Sequence, residues 1–546
     1  MSSNTIVALD TDFDAARFDA ACLRHGAQRL HFIALAPRPI DAHQLPQQWR
    51  MQWPPFVPGL HRMLSSDGLV TLDLLIGGVD AGLAQLSARI DEAWLASVPS
   101  SMTVLARLMN DGARLQAAQF DDGQRAALQK AGFVFDASGV RAVFQRRGAG
   151  RAVAVAPERR AIVIGAGLAG TAACERLAAR GWQVTLIERH GQPASEASGN
   201  LAGIFMPQLS KDDNIATRLV RAAYLYALRH WQTLGGVGTG FEGAQCGVLQ
   251  LARDAEHAQV QRQIAATALP PPEFARWLEA GEASSMLGAP APHGAWWFAQ
   301  GGWARPSSVC AAMLDACGSL LTRRFSSSAV SLQREHDAWL VRDGDGTLIA
   351  RAPTVIIAAG NGAVQLAQAA SLPLDAVRGQ VTHLVQGSLP GLPFVLCREA
   401  YMTPAYQGTV CVGATYDADG DAALRATSQQ DNIGKVADIL NVPAFDAPLA
   451  GRTGFRCVAP DRLPLAGALP DPAVPGRCER LRDVPRWPGL FGLLGYASRG
   501  LIWAPLAAEL LACQLEGEPL PLEVQLVDAV DPGRFLLRDR RRKGAA

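Results

Sequence analysis

The chain has 546 residues, 49% of them hydrophobic and 18% charged, with 51 lysines and arginines against 50 acidic residues and a net charge of +1. That is the make-up of a globular protein of more than one domain, and it argues against strong global attraction to nucleic acid or membrane while leaving room for a local basic patch. Ten scattered cysteines without a CxxC pair or metal-ligand spacing favour reduced cytosolic thiols over disulfides or zinc, so a cytoplasmic protein without a metal is expected.

The N-terminal MSSNTIVALDTD is acidic and lacks the form of a signal peptide. Within residues 1–145, Ile6 to Leu9, Leu30 to Leu35, Val70 to Ile76 and Met102 to Leu108 alternate with polar or helical stretches, which predicts an α/β layer structure. Ala126 to Gly132, Phe133 to Phe135 and Val140 to Gln145 read as a closing helix and hairpin. The Gly, Ala and Arg-rich run Arg146 to Arg160 reads as a linker, assigned to residues 146–159.

Next comes RAIVIGAGLAGTAACERLAARGWQVTLIE, Arg160 to Glu188: a short apolar strand, Gly165, Gly167 and Gly170 at GxGxxG spacing, a helix, and a second strand ending in an acid. The first glycine permits the turn, the second lets backbone approach a pyrophosphate, and the third lets helix pack on strand. The helix N-terminus faces the phosphates, and Glu188 stands where an acid can accept from ribose hydroxyls. FAD and NAD share this fingerprint, so spacing leaves the cofactor open. Near the C-terminus, the apolar stretch Leu490 to Leu511 is interrupted by Arg499 and Pro505 and reads as a buried strand and helix, with no membrane span.

Between these points stand further motifs in order: Ser198, Gly199, Asn200 and Gly203, LSKDDN from Leu209, CGVLQL from Cys246, QGGW from Gln300, VRGQV from Val377, YMTPA from Tyr401, GATYD from Gly413, GRTGFR from Gly451, DRLPLAG from Asp461 and SRGLIWAPLAAELL from Ser498. This series resembles the flavin half of the bifunctional tRNA 5-methylaminomethyl-2-thiouridine biosynthesis proteins, the MnmC family, over about residues 160–540. The resemblance implies FAD and a fold of the D-amino-acid oxidase and glycine oxidase class, with FAD-binding parts at about 160–235, 345–375 and 485–530, an antiparallel substrate part at about 236–344 and 376–484, and a tail at 541–546. It also implies a tRNA partner, oxygen as electron acceptor, and removal of the carboxymethyl group from 5-carboxymethylaminomethyl-2-thiouridine.

Such a substrate presents an N-substituted glycine, whose carboxylate calls for a guanidinium clamp. Arg456 resembles the carboxylate-binding arginine of the glycine oxidase class and is the first candidate, with Arg452 and Arg378 behind it. Ser498, Arg499, Gly500 and Leu501 would bring a helix N-terminus to the flavin ring. Ser198, Gly199, Asn200 and Gly203 would line the flavin, and Tyr401 would close the substrate pocket. The basic run Arg538, Arg540, Arg541, Arg542 and Lys543 could meet tRNA phosphates. A free glycine or sarcosine-type oxidase, and a tRNA-binding scaffold, are the alternatives.

WPPFVPGLHR from Trp53 and VTLDLLIGGV from Val70 resemble the family's other half, a Rossmann-like methyltransferase domain using S-adenosylmethionine. There the departures dominate. Where the family has a TGFGTG loop, this chain reads Thr11, Asp12, Phe13, Asp14, Ala15, Ala16; the ribose acid is Ala36; a Gly-Asp pair is Gly77, Gly78; and the catalytic Asp-Gly-Phe segment is Ala96, Ser97, Val98. S-adenosylmethionine binding and methyl transfer are therefore not expected, unless a variant loop preserves them.

Overall fold

A computed structural model describes residues 5–146, 148, 156 and 158–544, with the side chains of 543 and 544 excepted. The chain forms two compact units, Met1–Val155 with Cys513–Val527, and Ala156–Ala512 with Asp528–Ala546. Most of the linker expected at 146–159 lies outside the described residues.

The first unit is built on an eight-stranded sheet. Ile6–Asp10, Leu30–Ala36, Val70–Ile76, Ile90–Leu95 and Met109–Ala117 run parallel, and Gly59–Leu64, Arg141–Phe144 and Phe133–Phe135 add antiparallel edges. Leu30–Ala36 is buried at every residue, as a central parallel strand covered on both faces must be. One element departs from the sequence reading: Met102–Leu108 is a helix, not a strand. Its apolar residues Met102, Leu105 and Leu108 recur at three-residue spacing and are the ones buried, a helical pattern that the alternation reading passed over. The strand at that place in the sheet is Met109–Ala117, with alternating burial over its second half.

The segment Cys513–Val527, assigned from sequence to the FAD domain, groups with the first unit. Buried Arg62 explains why. Its guanidinium pairs with Asp73, which His31 also contacts at 2.7 Å, and it donates to Cys513 Sγ at 2.9 Å and to the Pro519 carbonyl at 2.8 Å. A cation buried this deeply must be paired and fully hydrogen-bonded, so the segment supplying those acceptors is fixed to it.

The second unit contains a six-stranded sheet in the order Leu321–Arg324, Gln183–Ile187, Arg160–Ile164, Thr354–Ile357, Arg486–Leu494, Leu465–Pro470. Only the last strand is antiparallel. Leu321–Arg324 and Leu465–Pro470 fall in stretches that the sequence reading gave to the substrate part, so the chain crosses between layers more often than the motifs suggest. A second, mostly antiparallel sheet of eight strands includes Val395–Cys397, Tyr401–Met402, Thr409–Gly413, Asp375–Val385 and Gly451–Val458. No described helix is long and apolar enough to cross a membrane. The expected tail at 541–546 is in part helical, because Arg534–Gly544 forms a helix.

Candidate functional site

A cavity of about 750 Å³ opens where the parallel sheet of the second unit meets its antiparallel sheet. One wall is the glycine turn. Gly165 has φ +105°, and a Cβ there would lie 2.6 Å from the Ala358 carbonyl. A Cβ on Gly170 would lie 1.8 Å from the Gly165 carbonyl oxygen, so only glycine lets the helix Leu168–Ala178 seat on the turn. Gly167 caps that helix and lines the cavity. The Leu168 amide at the helix start donates to Ser198 Oγ at 3.1 Å, so the helix N-terminus and Ser198 make one hydrogen-bonded patch. Glu188 is buried at the end of the second strand and lines the same space. Its Oε2 accepts from the Ala166 amide at 2.7 Å and its Oε1 from the His190 amide at 2.9 Å.

A second helix, Gly500–Glu516, starts at the cavity, with Ser498, Arg499, Gly500 and Leu501 on the wall. Gly203 packs beneath it, since a Cβ there would meet Leu501 Cδ1 at 2.8 Å. Asn200 lines the cavity beside Ser198. Gly199 does not. A Cβ on it would lie 2.4 Å from Arg452 Nη2, so it is small because a guanidinium passes behind it.

The three candidate arginines separate clearly. Arg452 donates to the carbonyls of Ser195 and Glu196, each at 2.6 Å, and is off the cavity wall. Arg378 is fully buried, bonded to Asp417 at 2.8 Å, Gln380 at 3.0 Å and the carbonyls of Asp421 and Ala423 at 2.7 Å, and is also off the wall. Both hold local structure. Arg456 alone of the three lines the cavity. It stands on the strand Gly451–Val458, its Nη1 donates to the Thr415 carbonyl at 3.1 Å and the Arg378 carbonyl at 3.3 Å, and its guanidinium lies over the Tyr416 ring at 4.2 Å. Among the described residues no carboxylate pairs with it. A cation held by carbonyls and an aromatic face keeps its charge for a ligand.

Tyr401 lines the same space, pairs in register with Gly413, and donates weakly to the Ala202 carbonyl at 3.5 Å. Burial pushes its phenol well above the ordinary range, so it is a neutral hydrogen-bonding group. Arg499 donates to Gln208 Oε1 at 2.9 Å. Sequence reasoning missed Tyr416, Gln208 and Asn361. Tyr416 lay inside the quoted GATYD motif, and an aromatic residue within that motif was the available signal. Asn361 lines the cavity and donates to the Phe455 carbonyl at 2.9 Å, a contact across 94 residues that no local pattern reveals.

A glycine cradle that a Cβ would fill, a buried acid at the end of the second strand, and two helix N-termini on one cavity fit a flavin dinucleotide. Gly170→Ala is accordingly expected to weaken FAD binding about ten-fold or more, since overpacking of this kind costs roughly 1–3 kcal/mol. Flavin absorbance after gel filtration measures it, with circular dichroism to show the fold intact.

Among the described residues no His, Cys, Asp and Glu group could hold a metal ion. Residues 160–514 match the FAD dependent oxidoreductase family. The structure is similar to glycine oxidase from Geobacillus kaustophilus, with a TM-score of 0.56 and 22% identity, covering 68% of this chain and 98% of that one. It is similar also to iminodiacetate oxidase from Chelativorans sp. BNC1, with a TM-score of 0.54 and 26% identity, covering 66% and 96%. The tRNA 5-methylaminomethyl-2-thiouridine biosynthesis bifunctional protein of Azoarcus sp. (strain BH72) is 42% identical over 556 residues, 94% of this chain and 86% of that protein. Its counterpart in Paraburkholderia xenovorans (strain LB400) is 40% identical over 566 residues, with the same coverage. The FAD-dependent oxidoreductase fold and the near full-length likeness together place the chain: it belongs to the MnmC family of bifunctional tRNA-modification proteins.

Proposed function

We propose that this protein oxidatively removes the carboxymethyl group of 5-carboxymethylaminomethyl-2-thiouridine at the tRNA wobble position, releasing glyoxylate and leaving 5-aminomethyl-2-thiouridine, and that it does not carry out the methyl transfer that follows. The observation that carries the first half is Arg456, a cation without a carboxylate partner on the wall of the cavity that the glycine turn opens into. The name of one structural relative, iminodiacetate oxidase, is in keeping with it, because iminodiacetate is itself an amine bearing a carboxymethyl group.

A bound FAD would supply the two-electron oxidation of the glycyl C–N bond to an imine on the substrate, which water would split to the primary amine and glyoxylate. Gly165, Gly167 and Ser198 would border the pyrophosphate, with Gly170 letting the helix seat close enough to reach it, Glu188 would hold the ribose, and Asn200 and Gly203 the wall beside the ring. Arg456 clamps the substrate carboxylate and so sets which carbon faces the flavin. Tyr401 stays protonated, so it can turn its weakly held O–H from the Ala202 carbonyl to the substrate and does not serve as a base. Arg499 and the N-terminus of Gly500–Glu516 place positive potential where negative charge gathers on reduction. Oxygen is assigned as the acceptor, and the setting as the cytoplasm.

The second half rests on the first unit. Asp10, buried, receives Arg17 through Nε at 2.8 Å and Nη2 at 3.2 Å; the same guanidinium donates to the Asp12 carbonyl at 2.7 Å. Asp14 caps the helix Ala15–His25 by accepting from the Arg17 amide at 2.8 Å. The helix N-terminus that would meet a nucleotide ligand is satisfied from within the chain.

Purified protein incubated aerobically with carboxymethylaminomethyl-containing tRNA is expected to yield the aminomethyl nucleoside by mass spectrometry, with one glyoxylate per turnover. Turnover of glycine or sarcosine with none of tRNA would instead establish a free amine oxidase.

A further inference from the structure

Within the second unit, residues 474–484 and the helix Arg534–Gly544 form a small lobe around Cys478, Val484 and Leu537. Its two basic runs, RCERLRD at 477–483 and RFLLRDRRRK at 534–543, hold nine arginines and lysines against three carboxylates, in a chain whose net charge is +1. Charge is thus concentrated here.

Apart from Arg534, which pairs with Asp461, and Arg482, 3.8 Å from Asp483, the way the arginines are held preserves that charge. Arg540 donates to the carbonyls of Val474 at 2.6 Å and Gly476 at 3.1 Å, and Arg541 to the carbonyl of Glu479. Carbonyl acceptors orient a guanidinium without neutralising it. Exposed Arg477 meets Glu479 only at 4.0 Å, and exposed Arg538 meets Asp461 only at 4.0 Å, separations at which solvent and salt screen most of the attraction. Exposed Arg542 has no partner among the described residues. The lobe is also tied to the catalytic region. Buried Arg534 donates to Asp461 at 2.9 and 3.0 Å and to the Leu463 carbonyl at 3.1 Å, on the loop that follows the strand carrying Arg456.

We propose that this lobe is a docking surface for the phosphate backbone of the RNA whose modified base enters the cavity, an inference that rests on the RNA substrate proposed above. Fixed, un-neutralised guanidinium groups at a spacing set by one helix and one loop suit repeated phosphates. A membrane surface fits less well, because Phe535 and Leu537 are buried and the helix has no apolar face to insert.

The test is binding of labelled tRNA to the FAD-loaded full chain, against salt, for the wild type and for Arg538→Gln/Arg542→Gln. Affinity is expected to fall by roughly ten-fold near ~0.1 M salt, and the slope of log affinity against log salt to shrink by about one for each phosphate that the variant no longer neutralises. Oxidation of iminodiacetate, supplied as a free carboxymethyl amine, serves as the internal control and is expected to be unchanged, since neither arginine lines the cavity. Unaltered tRNA affinity and salt slope in the double variant overturn the proposal, as does wild-type binding to anionic vesicles but not to tRNA. Because binding is read without turnover, tRNA that binds normally yet yields no glyoxylate sinks the proposed reaction and not the lobe.

Discussion

Arg456→Ala is expected to lower kcat/KM for a carboxymethyl amine by roughly 30- to 5,000-fold, the equivalent of about 2–5 kcal/mol for stripping one partner from a desolvated charge pair. The size follows from the setting. The guanidinium is already ordered by the Thr415 and Arg378 carbonyls and by the Tyr416 ring, so little of the interaction with a carboxylate is given up to ordering the side chain. Arg456→Lys is expected to recover only a small part, because an ammonium cannot reproduce the planar fork or the stacking on Tyr416. A purely structural role predicts something different: equal losses with every amine and reduced flavin content. A clamp predicts normal flavin content and collapse of the preference for carboxymethyl amines over the same amines without the carboxylate. Steady-state kinetics on such a pair, with flavin quantified by absorbance, decides between them. Unchanged preference would remove Arg456 from the site.

What could be read from the sequence divides along contact range. The glycine turn, its helix and the acid at Glu188 are consecutive, and each carries a local steric or electrostatic reason, so they were legible directly. Motif order then told FAD from NAD and put Arg456 and Arg499 in one neighbourhood, 43 residues apart in the chain. The resemblance put Arg456 ahead of Arg452 and Arg378, but nothing in the spacing gave a physical reason for that order. All three lie on paired strands of one sheet, and only the three-dimensional partners show that Arg452 is consumed by backbone carbonyls and Arg378 by carbonyls and the half-buried carboxylate of Asp417. Gly199 illustrates the same limit. Its neighbour Arg452 is 253 positions away, so a residue needed for packing looked like part of a flavin-lining turn. The misread helix Met102–Leu108 is a different case: its i, i+3 pattern was present in the sequence, and a run of apolar residues between turns simply fits either element at that length.

Addition of S-adenosylmethionine is expected to change nothing: the nucleoside product stays 5-aminomethyl-2-thiouridine, and the melting temperature does not move. A ligand at a hundred times its Kd would stabilise the native state by about 2.7 kcal/mol, well within the reach of a thermal shift, so the absence of any shift is informative. The reasons are local and independent. At the first strand end, where the resemblance implies a glycine loop, the chain reads Thr11 to Ala16, and Phe13 is buried there against Phe18 and Trp53, with ring centroids 6.0 and 5.5 Å apart. Opening that space for a nucleoside means pulling Phe13 from its packing and Arg17 from buried Asp10. The latter would leave a carboxylate whose burial already pushes its pKa up, opposed chiefly by Arg17. At the second strand end Ala36 offers no acceptor for a ribose, and at the fourth strand end Ser97 is fixed by its amide, which donates to Thr11 Oγ1 at 3.0 Å. Asp12 is engaged by Arg38 at 2.6 Å, so even the charges that might be recruited are taken. Appearance of the methylaminomethyl nucleoside in the presence of the methyl donor, from protein free of other enzymes, would show that this rearranged loop still binds its ligand.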